Sequence, residues 1–166
     1  MTATGNDAVG AICDLLLAED LRVTQVTSGP SSDTLHHFVA HPLGMIGTDS
    51  TFFGEKPSPR TYGSFPRILG QFVRDEARLS LAEAIRKMTG APAARLGLHD
   101  RGLLRTGYAA DVVVFDPARV RSNATYDQPR QYPDGIDFVL VNGELVVDAG
   151  RHTGRLPGRA LRRTTR

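Results

Sequence analysis

The chain changes character near Gly97, and this constrains its fold more than any other feature. Before it, apolar residues recur at helical spacing between short β-branched runs. After it, Asp111-Val112-Val113-Val114-Phe115-Asp116-Pro117, Phe138-Val139-Leu140-Val141 and Leu145-Val146-Val147 read as strands. Asn142-Gly143 between the last two runs is a strong hairpin signal, because a tight type I′ turn needs positive φ at both central positions. The stretch from Gly102 to Gly107 leads into these strands, which together make a small β-subdomain.

The first part alternates. Asn6 or Asp7 caps a helix to about Asp20, with Val9, Ile12, Cys13, Leu16 and Leu17 on one face. Residues 21–27 carry Val23, Thr24, Val26 and Thr27 and end at Ser28-Gly29-Pro30, which predicts a short strand and a turn. Ser31 or Ser32 opens a second helix through Leu35, Phe38 and Val39, and Pro42 stops it near His41. Leu43-Gly44-Met45-Ile46-Gly47-Thr48 is a second strand-like run ending at Asp49-Ser50. Helix, strand, helix, strand argues for βα units and a parallel sheet, whose ligands gather at the C-terminal strand ends, where Asp49 stands.

A complete (β/α)₈ barrel takes about 250 residues. At 166 residues, this chain holds only a piece of one. Residues 51–66, with three prolines and two glycines, read as a long functional loop. One helix is expected after Pro66, through Ile68, Leu69, Phe72 and Val73. Another starts at the capping box Ser80-Leu81-Ala82-Glu83, carries Ala84, Ile85 and Met88, and ends at Gly90 and Pro92. Division at residues 1–97 and 98–166 follows.

Composition narrows the function classes. The formal charge is only +2, and the basic residues Arg151, Arg155, Arg159, Arg162, Arg163 and Arg166 crowd the end. No aromatic residue lies between those arginines to stack a base, which argues against nucleic acid. The lone Cys13 excludes an intramolecular disulfide and fits a reducing compartment; its helical neighbours make it a buried small hydrophobe. With no leader-like start and no run near 18 apolar residues, the reading is a cytoplasmic protein without a membrane partner.

Asp49 at a strand end is placed to move a proton, or merely to cap the turn that follows. Arg60 and Arg67 can each clamp a carboxylate through paired hydrogen bonds, although surface arginines look the same. His37 and His41 would share a helical face, but with no Glu or Cys in a metal-binding arrangement the three residues His36, His37 and His41 read as surface histidines. His99 and His152 have no evident partner.

The run Thr89-Gly90-Ala91-Pro92-Ala93-Ala94-Arg95-Leu96-Gly97-Leu98, then Asp100-Arg101-Gly102 and Gly107-Tyr108-Ala109-Ala110-Asp111-Val112-Val113-Val114-Phe115-Asp116, resembles the C-terminal region of the amidohydrolase superfamily. A narrower set is similar to the D-aminoacylase family, the N-acyl-D-amino-acid deacylases: His41-Pro42, Gly47-Thr48-Asp49-Ser50, Pro57-Ser58-Pro59-Arg60, Tyr62-Gly63-Ser64-Phe65-Pro66-Arg67 and Gly154-Arg155-Leu156-Pro157-Gly158-Arg159.

That resemblance implies an α/β fold: the C-terminal portion of an amidohydrolase (β/α)₈ barrel, its last two βα units, plus a small β-sandwich subdomain. It implies hydrolysis of an N-acyl-D-amino acid by a zinc-bound hydroxide, with Asp49 as general acid/base and Arg60, eleven positions later, holding the substrate's α-carboxylate. The family's His-x-His pair, bridging cysteine and two further histidines belong upstream of the region seen here, so zinc is expected in the full-length family and not on this chain alone. Ser50 and Ser58 replace residues usually Gly and His. Two expectations result. One is a segment of a deacylase whose upstream barrel is lost or is supplied by another chain. The other is a noncatalytic remnant or interaction module whose open strand edges seek a partner or self-associate. Dihydroorotase-like enzymes share the Gly-x-x-Ala-Asp region and remain the alternative enzyme class.

Overall fold

The computed structural model describes residues 5, 7–23, 32–50, 52 and 54–162. Helix α1 spans Ala8–Ala18, with Asp7 accepting a hydrogen bond from the Gly10 amide as its N-cap. Contrary to the expected core face, α1 buries none of its residues, and Cys13 is exposed. The strand expected over 21–27 lies mostly outside the described residues; Val23, within them, is not in a strand. Helix α2 runs Ser32–Ala40 and stops before Pro42, as expected from the missing proline N–H.

Residues 44–50 form no helix or strand and pair with no strand among the described residues. The run has the strand pattern, with Gly44, Ile46 and Thr48 half-buried and Leu43, Met45 and Gly47 exposed. Alternation of faces alone does not make a strand: pairing requires a neighbouring strand, and here the Ile46 N–H donates to a helix, to Lys87 O at 3.1 Å.

The loop after Asp49 is shorter than expected. Helix α3 begins at Arg60 and runs to Arg67 with Pro66 inside it, then continues as a π-wound segment over Ile68–Asp75. Interior proline removes one i→i−4 hydrogen bond and crowds the preceding turn, and wider winding is one way a helix absorbs that. The Glu76 amide accordingly reaches back five residues to Gln71 O at 2.9 Å. Helix α4, Leu81–Met88, is capped by Ser80, whose hydroxyl accepts from the Glu83 amide. Gly90 and Pro92, expected to end it, instead open a further short helix, α5, Gly90–Leu96; proline is tolerated in a first turn, where its N–H would have no partner.

Strands β1 (Val112–Phe115), β2 (Ile136–Val141), β3 (Glu144–Asp148) and β4 (Arg151–His152) form one antiparallel sheet in sequential order. Asn142 and Gly143 both have positive φ, 50° and 84°, and make the predicted turn between β2 and β3. A single cluster joins both parts: Val39 from α2, Ile68, Leu69 and Phe72 from the π segment, Ala84 from α4 and Val120, with Phe115 and Ile136 of the sheet packed against it. Phe72 is almost fully buried at its centre, and its burial contributes about 2–3 kcal/mol.

Candidate functional site

Asp49 closes the strand-patterned run and Arg60 opens α3, and the fold brings the two together. The Arg60 Nη2 lies 2.9 Å from Asp49 Oδ2, and its Nε donates to the Asp49 carbonyl at 3.0 Å. Asp49 holds φ at 46°, in the left-handed region that Asp tolerates better than most residues, and this turns the chain back toward α3. The Asp49 side chain is 86% exposed and that of Arg60 50%. A pair so wet is worth about 0–1 kcal/mol, so an incoming carboxylate can displace Asp49 from the guanidinium at little cost. Ser64 Oγ donates to the Arg60 carbonyl at 2.7 Å and Ser50 Oγ to Thr48 Oγ1 at 2.8 Å, tightening both flanks.

Beside the pair runs a groove of about 440 Å³ between α2 and α3. Leu35, Phe38, Met45 and Ile46 give it an apolar lining, and Arg60 and Arg67 line it too, seven residues and hence two turns apart on one face. Arg67 is partly committed: its Nε donates to Gln71 Oε1 at 2.8 Å and its guanidinium carbon sits 5.9 Å from the Phe72 ring centroid.

The histidines divide. His37 and His41 are exposed and bond only locally, Nδ1 of His37 to the Asp33 carbonyl and Nδ1 of His41 to the Leu43 amide. His36, expected at the surface, has a side chain only 14% exposed; its Nε2 is 2.9 Å from Glu76 Oε2 and its ring meets Phe72 edge-on at 5.1 Å. Adjacent to Leu35 and three residues before Val39, it falls at the edge of the buried stripe of α2. The hydrogen bond from Gln71 is the main reason the Glu76 carboxyl sits below its ordinary pKa, with burial opposing and His36 and Arg78 adding to it.

Other polar residues that sequence reasoning passed over hold the frame. Lys87 is fully buried and donates to the carbonyls of His41 and Gly44. Arg101, nearly buried, donates from Nη1 to Asp111 Oδ2 and from Nη2 to Asn142 Oδ1 at 2.6 Å, while Asp111 Oδ1 accepts from the Asn142 amide at 2.8 Å. Lys87 stands three residues past Ala84 on the buried face of α4, the readable sign that its ammonium would be drawn inside.

Among the described residues, no group of three or more His, Cys, Asp or Glu is placed to hold a metal ion. Asp49 is the one carboxylate at the site and it faces a guanidinium, so the residues present do not make a zinc site.

The strand-patterned run ending in an aspartate, the arginine eleven residues on and the sheet that follows define an amidohydrolase region. Residues 21–147 match the amidohydrolase family model, and the chain belongs to that family. It is similar to the N-acyl-D-aspartate deacylase of Alcaligenes xylosoxydans xylosoxydans, 39% identical over 165 residues, covering 96% of this chain and 33% of the relative. It is likewise similar to the D-aminoacylase of the same organism, 48% identical over 120 residues, covering 72% of this chain and 25% of the relative. A solved D-aminoacylase with a binuclear metal centre superposes with a TM-score of 0.77 at 42% identity, covering 80% of this chain and 28% of that one. An N-acyl-D-glutamate deacylase from Bordetella bronchiseptica, solved with zinc and a phosphonate inhibitor, gives 0.68 at 42% identity, covering 70% and 24%. The chain spans about a third or less of the length of the curated relatives it matches.

Proposed function

We propose that this chain is the C-terminal portion of an N-acyl-D-amino-acid deacylase, supplying the proton-transfer and carboxylate-binding groups to an active site whose metal ligands lie on upstream barrel strands. The contact between Asp49 and Arg60 carries this reading, because it joins a group able to move a proton with a group able to orient a carboxylate substrate. The relatives, named as deacylases of N-acyl-D-aspartate and N-acyl-D-glutamate and as D-aminoacylase, support the substrate class. Residues 1–97 correspond to the last two βα units of the barrel, and residues 98–166 to strands of the small β-sandwich.

In this reading the substrate's α-carboxylate replaces Asp49 on the Arg60 guanidinium. The freed Asp49 carboxylate takes up at Oδ the proton lost by the water that attacks the amide carbon, and delivers it to the nitrogen as the carbon–nitrogen bond breaks. Arg60 holds the α-carbon at a set distance from Asp49, which brings the amide to the acid. The metal belongs to the rest of the barrel, and the compartment is the cytoplasm. On its own the chain neither hydrolyses N-acetyl-D-methionine nor holds stoichiometric zinc.

The test is co-expression with a polypeptide spanning the upstream two thirds of a relative. The assembled protein is expected to release D-amino acid. There Asp49→Asn should lower kcat by about 10²-fold or more, and Arg60→Lys should act mainly through KM. Full activity of Asp49→Asn in that assembly would sink the assignment of the acid/base, and turnover by the chain alone would sink the need for an upstream half.

The exposed apolar residues favour a second reading as an interaction module. Val9, Leu17, Phe38 and Leu43 are all well exposed, and a face of this kind suits association with the missing barrel or with another copy. Binding of the upstream polypeptide without any turnover would select this reading.

A further inference from the structure

We propose that Lys87, with Arg86, is a positioning clamp that sets where Asp49 stands relative to Arg60. Lys87 is fully buried, although taking an ammonium out of water costs several kcal/mol unless its donors are satisfied. Its Nζ donates to His41 O and to Gly44 O, the latter at 3.1 Å, with Glu83 Oε1 at 3.8 Å. Arg86 Nη2 donates to Pro42 O at 3.1 Å, and the Ile46 amide donates to Lys87 O at 3.1 Å. Four points of the connector over residues 41–46 are thus tied to the last turn of α4.

Satisfying the end of α2 does not by itself account for this pattern, because all four ties lie beyond Ala40, the last residue of the helix, and two of them, at Gly44 and Ile46, lie four and six residues past it. Only Gly47 and Thr48 stand between Ile46 and Asp49. Asp49 itself is wet and held through Arg60, so its location is inherited from the tied connector. Gly44 leaves no slack: a Cβ there would stand 2.8 Å from Phe38 O and 3.1 Å from His41 O. The clamp therefore acts on Asp49 through backbone, and Lys87 touches no substrate.

This inference rests on Asp49 being the acid/base group, and its test is independent of turnover. In the full chain, proton exchange at the Arg60 Nε–H is followed by ¹⁵N NMR at low temperature, with circular dichroism as the check on folding. Lys87→Met keeps length and volume and removes the donors. Its Arg60 Nε–H should exchange about tenfold faster, the effect of about one net hydrogen bond, while Lys87→Arg should keep the wild-type rate. If Lys87→Met does not fold, Arg86→Met decides, because it removes the tie to Pro42 and the exposed pair with Glu83 while leaving both Lys87 donors in place; there exchange should quicken about threefold, and Glu83→Gln, which breaks the Glu83 pair and keeps the Pro42 tie, should not reproduce it. Wild-type exchange in the folded Lys87→Met protein, or in Arg86→Met where that variant decides, would overturn the clamp. Faster exchange together with a catalytically silent Asp49→Asn in the assembled enzyme would leave the clamp standing and remove the acid/base assignment.

Discussion

Asp111 shows how a short motif acquires meaning only through its partners. Burial pushes its carboxyl pKa up, but the Asn142 amide and the Arg101 guanidinium outweigh that and hold it below the ordinary 3.8. A depressed acid contributes stability above its unfolded value and loses that contribution as pH falls through the lower folded value. Asp111→Asn leaves the nearly buried Arg101 without its anion. It should cost about 2 kcal/mol at pH 7, and the gap from wild type should narrow as pH falls below the ordinary carboxylate value of 3.8 and Asp111 takes up its proton, both read from urea unfolding. The Gly-x-x-Ala-Asp resemblance marked Asp111 in the sequence. Its duty, pinning the Asn142-Gly143 turn, was not legible, because Arg101 and Asn142 are 41 positions apart and meet only in the fold. His36 failed for a related reason: helical spacing places a residue at the margin of a stripe without saying whether a Phe72 lies opposite.

At the scale of elements, α3 and the π segment connect the helical part to the sheet. Gly63 and Gly70, two turns apart, give this helix a face without side chains, and the chain at 120–124 passes directly over it. A Cβ on Gly70 would stand 2.6 Å from the Val120 carbonyl oxygen, and one on Gly63 would collide with Ser122 Oγ. Gly70→Ala should therefore destabilise the protein by about 1–3 kcal/mol, seen as a lower urea midpoint with unchanged slope. An equal or higher midpoint would show that the passing chain yields freely. The Ser80 cap and the Asn142-Gly143 hairpin were legible, since both are decided within a few residues, whereas the Glu83 carboxylate, expected to return to the Ser80 amide, pairs with Arg86 instead. The start of α3 was not: three prolines between residues 57 and 66 signal a loop, yet Pro59 falls just before the helix and Pro66 where winding widens.

For the whole molecule, the decisive feature is apolar surface facing solvent. Phe38 is 70% exposed and Leu43 84%, and both line a second groove of about 560 Å³ beside His37 and His41. With α1 burying nothing, hydrophobic residues at the N-terminal side have no described counterpart to cover them. The chain alone should bind an environment-sensitive dye such as anilinonaphthalene sulfonate, and the combined change Phe38→Asp with Leu43→Asp should cut that signal at least about twofold while leaving the sheet's circular dichroism intact. Adding the upstream polypeptide should quench the dye in the same way. A dye signal indifferent to both would place the sticky surface elsewhere.

Local chemistry in the sequence determined the helices α1, α2 and α4, the hairpin, and, through resemblance, the family together with Asp49 and Arg60 as the residues to watch. Caps, prolines and turn dipeptides act over a few residues, so their outcome is written where they stand. Tertiary structure alone decided that residues 43–48, patterned as a strand, pair with no strand among the described residues, and that the Ile46 amide is instead taken up by the Lys87 carbonyl of α4. Spacing puts Lys87 on the buried face of α4, but only tertiary structure supplied the converging carbonyls of His41 and Gly44 that satisfy its ammonium there. The pairing of Asp49 with Arg60 also awaited the fold, since it depends on a left-handed turn at Asp49 and the direction in which α3 leaves it.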